Sequence, residues 1–172
     1  EEGVKAKKAF EWRLVDTILK KTTLNDDLQA LIEEKSIRKP NMDNLTGIKL
    51  NNIKKNIINE NEIKYSTISV NIDRDKKSVT ITIQAPVDKA PINIEDILSQ
   101  GDDVWLLRCA RELDDAILYL RFNELEIGII FFKTRGEIGK VLSYDKLFET
   151  FENHWFIKEI SYYWSRVFKR ID

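Results

Sequence analysis

W-L-L-R-C-A-R-E-L-D-D-A-I-L-Y-L-R-F-N-E-L-E-I-G-I-I-F-F-K-T, residues Trp105 to Thr134, is the stretch on which the fold turns. Leu106, Ala110, Leu113, Ile117 and Leu120 follow one another at steps of four, three, four and three. That spacing lays one apolar face along a helix over Leu106–Phe122. Arg108–Glu112 and Arg111–Asp115 are opposite charges four residues apart and predict ion pairs on the wet side. The phase breaks at Asn123-Glu124. The run Ile127-Gly128-Ile129-Ile130-Phe131-Phe132 is then apolar without alternation, and it ends at Thr134-Arg135-Gly136. Such a run predicts a strand over Ile127–Lys133 covered on both faces, as in a parallel sheet. A helix turning into such a strand is half of a right-handed crossover unit.

Upstream, Ile68, Val70 and Ile72 alternate with Thr67, Ser69 and Asn71, and Val79, Ile81 and Ile83 alternate with Thr80, Thr82 and Gln84. Period two on both arms of a polar turn predicts an antiparallel hairpin within Ile63–Ala85, apolar on one face. Its second arm runs into Ala85-Pro86, and Pro91–Gln100 reads as an ordered loop or helical turn. The strand Ile127–Lys133 should lie parallel to one hairpin arm, because a helix intervenes. Downstream, Thr134–Asp145 reads as a loop. Ser143 or Asp145 would cap one long helix from near Lys146, carrying Phe148, Phe151, Trp155, Phe156, Ile160, Tyr163 and Val167. Near the N-terminus, Asn25 or Asp26 would cap a helix over Leu28–Glu34. Ser36–Glu62 is rich in Asn and Lys, holds Pro40 and Gly47, and reads as an irregular surface linker with a solvated Lys49–Lys55 cluster.

Hydrophobic content of 42% and charged content of 33% are those of a globular chain that can bury a core. The formal net charge of −1 supplies no global field for nucleic acid or an anionic membrane, so neither is an expected partner. No apolar run reaches the ~20 residues of a membrane helix. A single cysteine, Cys109, excludes an internal disulfide and fits a reducing cytoplasm. The opening E-E-G-V-K-A-K-K has no Met and no apolar leader, and the chain is read as an internal piece of a longer one.

Specific residues add a resemblance. Ala110–Leu118 (A-R-E-L-D-D-A-I-L), Asn123–Gly128 (N-E-L-E-I-G), Lys133–Gly136 (K-T-R-G) and His154-Trp155-Phe156 with Lys158-Glu159 together resemble the crotonase (enoyl-CoA hydratase/isomerase) superfamily. Within it they are most like a two-unit, ring-opening branch acting on an oxidised aromatic acyl-CoA, 2,3-epoxybenzoyl-CoA, in aerobic benzoate breakdown. Trp12–Leu19 resembles the strand that ends a unit's core in that superfamily. The implied organisation is a tail of an upstream unit over 1–35, a linker over 36–62, and the N-terminal part of a second unit over 63–172. The implied fold is α/β: a partial crotonase-like unit built of a β-hairpin plus a helix-crossover strand with flanking helices.

The resemblance also bears on chemistry. Superfamily enzymes bind the thioester oxygen with two backbone N–H groups and move protons with carboxylates. Here Thr134–Asp145 lacks the superfamily's oxyanion-loop run, and no Gly-rich helix follows, so no catalytic residue is assigned. The loop after the hairpin helps hold CoA in the superfamily, which makes Pro86 and Lys89 the candidate CoA-binding residues. Coenzyme A enters as part of an acyl-CoA substrate, with no tightly bound cofactor. The implied protein partner is the remainder of the same polypeptide or a homo-oligomer mate. A second reading makes the chain a non-catalytic interaction module using its aromatic C-terminal helix. Glu112, Asp114 and Asp115 read as a salt-bridged solvent face, and His154 as a packing or surface residue. Cys109 lacks an activating base, and one His with one Cys supplies no metal site.

Overall fold

The structure is a computed structural model and describes residues 3–37 and 47–171. The chain divides into two compact units, Glu1–Gly47 and Ile48–Asp172. The first holds helix α1 (Ala6–Glu11) and helix α2 (Leu24–Ile37). Trp12–Lys20 between them is not a strand, against expectation. Instead α1 closes on Arg13 at φ 56°, with Leu14 N–H donating to the Ala9 carbonyl, and Lys8 lies 4.6 Å from the Trp12 ring centre. Asn25 and Asp26, expected as caps, lie inside α2, while Thr23 donates to Asp27. Pro40 and part of the expected 36–62 linker lie outside the described residues.

In the second unit five strands form one sheet in sequence order: β1 (Asn56–Asn59), β2 (Glu62–Lys64), β3 (Ile68–Asp73), β4 (Ser78–Gln84) and β5 (Ile129–Arg135). β1 to β4 are antiparallel neighbours, and β5 runs parallel to β4 with Val79 opposite Ile130 and Ile81 opposite Phe132. The hairpin and the parallel third strand therefore follow the sequence pattern. β1 and β2 correct the expectation of irregular backbone up to Glu62. Between β4 and β5 come α3 (Ile94–Gln100) and α4 (Trp105–Asn123), and after β5 come α5 (Ile138–Thr150) and α6 (Trp155–Ile171). The expected loop Thr134–Asp145 is mostly helix, and the single long helix expected from Lys146 is broken at Phe151–His154.

Two cores result. In one, Ile68, Val70 and Ile72 of β3 with Val79 and Ile81 of β4 meet Cys109, Leu113, Ala116, Ile117 and Leu120 of α4 and Val167 of α6. In the other, Ile97, Val104 and Leu107 meet Tyr144 and Leu147 of α5 and Phe156, Ile157 and Ile160 of α6. All seven residues of β5 are exposed, against the expected two-sided cover, because β5 is the edge of the sheet among the described residues. No helix among the described residues is long and apolar enough to cross a membrane.

Candidate functional site: the carboxyl end of the parallel strand pair

β4 and β5 are the only parallel pair in the described sheet. In open α/β sheets, ligands bind beyond the carboxyl ends of parallel strands, where the chain leaves the sheet. Here that edge is built by the loop after β4, the turn after β5 and the start of α5. Ala85 N–H donates to the Arg135 carbonyl at 2.8 Å, carrying the ladder one step past Gln84. Gly136 then crosses the loop at φ +128°, and a Cβ there would lie 2.5 Å from the Ala85 Cβ. Only glycine permits both that backbone angle and that approach.

The loop is pinned from two further sides. Trp105 Nε1 donates to the Gln84 carbonyl at 3.0 Å. Ala90 N–H donates to Ser143 Oγ at 2.8 Å, and that hydroxyl donates to the Lys140 carbonyl at 2.6 Å. Ser143, expected as a helix cap, is thus a mid-helix hydroxyl that anchors the loop. Tyr144 sits buried below, its ring centre 5.4 Å from that of Trp105. Burial, with the Asp88 carboxylate adding to it, raises its phenol above the ordinary range.

The two residues named for CoA lie on this loop but differ in character. Pro86 is buried and packs, whereas Lys89 is exposed. Lys140 pairs with Glu137 at 3.4 Å, and Lys89 has no ion pair among the described residues. Among the described residues Lys89 is thus a cation without an ion pair on a braced loop, able to meet a phosphate.

The other titratable residues serve the fold. Cys109 is fully buried, and burial pushes its thiol up to about 12. His154 Nδ1 accepts the Phe156 N–H at 3.3 Å, capping the first turn of α6. Among the described residues no three His, Cys, Asp or Glu side chains gather as a metal site.

The acidic cluster of α4 is not the solvated face its charges suggest. Glu112 is 3% exposed and Asp114 8%. The Glu112 carboxylate accepts from Ser66 N–H at 3.2 Å and Oγ at 2.5 Å, and from Thr67 N–H at 2.7 Å and Oγ1 at 2.5 Å. It clamps the reversal between β2 and β3. Asp114 accepts the Tyr163 hydroxyl at 3.1 Å and faces Arg170 Nε at 3.1 Å. Asp115 accepts from the Tyr65 hydroxyl at 2.7 Å and Lys55 Nζ at 3.0 Å. Burial, then the Asp115 hydrogen bond, raises the Tyr65 phenol well above its ordinary range.

The expected helical pairs also rearrange. Arg108 pairs with Asp103, and Arg111 pairs with Asp102 at 2.8 Å. Asp102 also accepts Asn51 N–H at 2.6 Å and Nδ2 at 2.9 Å, while Arg111 donates to the Asn51 carbonyl at 2.5 Å. Burial alone would raise the Asp102 carboxyl, but the Asn51 donors and the Arg111 guanidinium outweigh it and hold it below the usual range. Asn51 and Asp102 carried no sequence signal, since their contact spans 51 positions. Beside them lies a cleft of about 630 Å³, lined by Asn51–Lys54, Ser66, Asp102, Asp103, Arg108, Arg111 and Glu112.

No protein-family model matches the chain. A curated relative, the benzoyl-CoA-dihydrodiol lyase of Aromatoleum evansii, is 33% identical over 171 residues, which is 99% of this chain and 31% of the relative. The chain is thus similar, along nearly its whole length, to a segment amounting to about a third of benzoyl-CoA-dihydrodiol lyase.

Proposed function

We propose that this chain is the structural part of an acyl-CoA-processing lyase or hydratase of the crotonase superfamily, acting in the cytoplasm on 2,3-epoxybenzoyl-CoA or a related thioester. The similarity to benzoyl-CoA-dihydrodiol lyase over 99% of the chain carries the reading. The use of the local acids supports the scaffold role. Glu112 is saturated by four donors, and Asp114 and Asp115 are held by tyrosines and cations. Glu112, locked in this way, is a poor proton carrier, because its lone pairs are already occupied. The oxyanion donors and working acids then belong to other parts of a longer polypeptide or to a homo-oligomer partner. In this organisation residues 1–35 close one crotonase-like unit, and the sheet unit from Ile48 onward, which takes in β1, opens a second.

The loop Ala85–Asn93 contributes to holding CoA, with Lys89 meeting a phosphate and Pro86 setting the loop's path. The test is a turnover assay on a panel of acyl-CoA thioesters, run with the 172-residue chain and with the uninterrupted reading frame around it. Turnover is expected from the longer chain alone, since loss of one oxyanion donor costs ~2.7–4 kcal/mol in the transition state. Lys89→Glu should weaken CoA binding in calorimetry. Robust turnover by the 172-residue chain would defeat the scaffold assignment. The second reading, a protein-interaction module, draws on exposed Trp155, Tyr162 and Phe168 of α6. It requires that Tyr162→Glu with Phe168→Glu abolish association with a partner protein, with no dependence on CoA.

A further inference from the structure

The segment Ile48–Lys55 runs without regular secondary structure along the outside of α4 before β1, and among the described residues no backbone–backbone hydrogen bond to the sheet or helices holds it. Ile48, at its start, packs against the second core, and beyond it the attachment is mainly polar and centred on Asn51. Asp102 takes both donors of Asn51, and Arg111, itself paired with Asp102, returns a hydrogen bond to the Asn51 carbonyl. A second, more exposed tie joins Lys55 to Asp115. Beneath the strap lies the cleft whose floor carries Ser66 and Glu112. The charged side chains that line it, Lys54, Arg108 and Arg111 against Asp102, Asp103 and Glu112, balance in sign, so no net charge selects an ionic ligand.

From this arrangement we infer that Ile48–Lys55 is a detachable strap, latched by the Asp102–Asn51–Arg111 node, whose release opens the cleft to the Glu112 clamp while the sheet stays folded. The node is the main buried polar anchor of the strap between Ile48, which packs on the second core, and Lys55. Asp102 is 7% exposed and supplies the acceptor for both Asn51 donors, and no ladder backs it up. The Lys55–Asp115 tie, with both side chains about a third exposed, is screened by solvent and contributes little alone. Local opening of a segment held by few contacts precedes global unfolding.

Trypsin reads this directly, because Lys49, Lys54 and Lys55 lie on the strap. Asp102→Asn replaces a two-oxygen acceptor with an amide that must turn a donor toward Asn51 or Arg111. Strap cleavage, followed by mass spectrometry on the whole chain, should accelerate by about ten- to a hundred-fold. Cleavage at Arg74, Lys76 and Lys77, in the β3–β4 turn, should hold its wild-type rate. Asp103→Asn, which removes a pair that does not touch the strap, should leave all rates unchanged. Equal strap cleavage in Asp102→Asn and wild type would overturn the latch. So would uniform acceleration at every site, which would make Asp102 a determinant of the whole unit's stability instead.

Discussion

Glu112 shows how far a single side chain departs from what its charge suggests. It sits on a helix turn beside Asp114 and Asp115, where a run of acids ordinarily faces water. Four donors from Ser66 and Thr67 bury it instead. A carboxylate presents acceptors only, so it suits a corner where two N–H and two hydroxyl groups converge. Glu112→Gln keeps the shape but turns an NH₂ toward donors, and should cost about 2–4 kcal/mol in a urea titration. A loss below half a kcal/mol would mean the clamp is replaceable by water. Gly136 makes a second demand at this scale. Gly136→Ala meets the Ala85 Cβ at 2.5 Å and strains a φ of +128°, and should cost about 2 kcal/mol or more. Ala85→Gly in the same chain removes the closest contact, though not the approach to the Ala85 backbone N at 3.3 Å, and should recover some of that loss. If recovery is absent, the backbone angle and the Ala85 backbone contacts carry the penalty.

At the scale of elements, the parts legible in the sequence are those whose burial is one-sided and local. Leu113, Ile117 and Leu120 repeat at the helical period because one face of α4 meets the sheet. Ile68, Val70, Val79 and Ile81 alternate because only that face of the hairpin is covered. α5 escaped because Gly136 and Gly139 read as loop, and its Ile138 and Leu142 point to solvent. The break at Phe151–His154 was masked by aromatics that keep helical phase on both sides of it. The edge Ala85–Asn93 was legible as a loop, but its anchors, Ser143 and Gly136, are set by contacts across some fifty positions. β5 raises a different matter, because its continuous apolar run is real while its cover is missing among the described residues. Ile130 and Phe132 share the face of Val79 and Ile81, whereas Phe131 stands opposite Thr80 on the other face at 50% exposure. An uncovered apolar edge strand invites pairing between chains. Phe131→Lys should therefore leave the stability from urea titration within about 0.5 kcal/mol and reduce self-association in light scattering. A large stability loss would place Phe131 in a packed site.

For the molecule as a whole, the buried ionisable groups set a window of pH over which unit Ile48–Asp172 is most stable. On the acid side, Asp102 is held below the usual carboxylate range, so its contribution is present above about pH 4 and fades as pH falls through its native pKa. On the alkaline side the first group to act is Cys109. Its thiol is pushed from 9.0 up to about 12 by burial, so the native chain keeps a proton that the unfolded chain releases. Unfolding then releases protons as pH rises past 9, and stability must fall with pH. Each pH unit beyond that point removes at most about 1.4 kcal/mol for one such group. Tyr65, Tyr144 and Tyr163, all raised by burial, join only above the ordinary phenol range near 10. Cys109→Ala should cost a small, pH-independent amount for the lost sulfur and move the onset of the alkaline decline from near 9 toward 10. Urea midpoints measured between pH 7 and 10.5 under reducing conditions separate the two chains. Curves that stay parallel over that range would show that another group governs the alkaline limit, and that the pocket around Cys109 admits water in the native state.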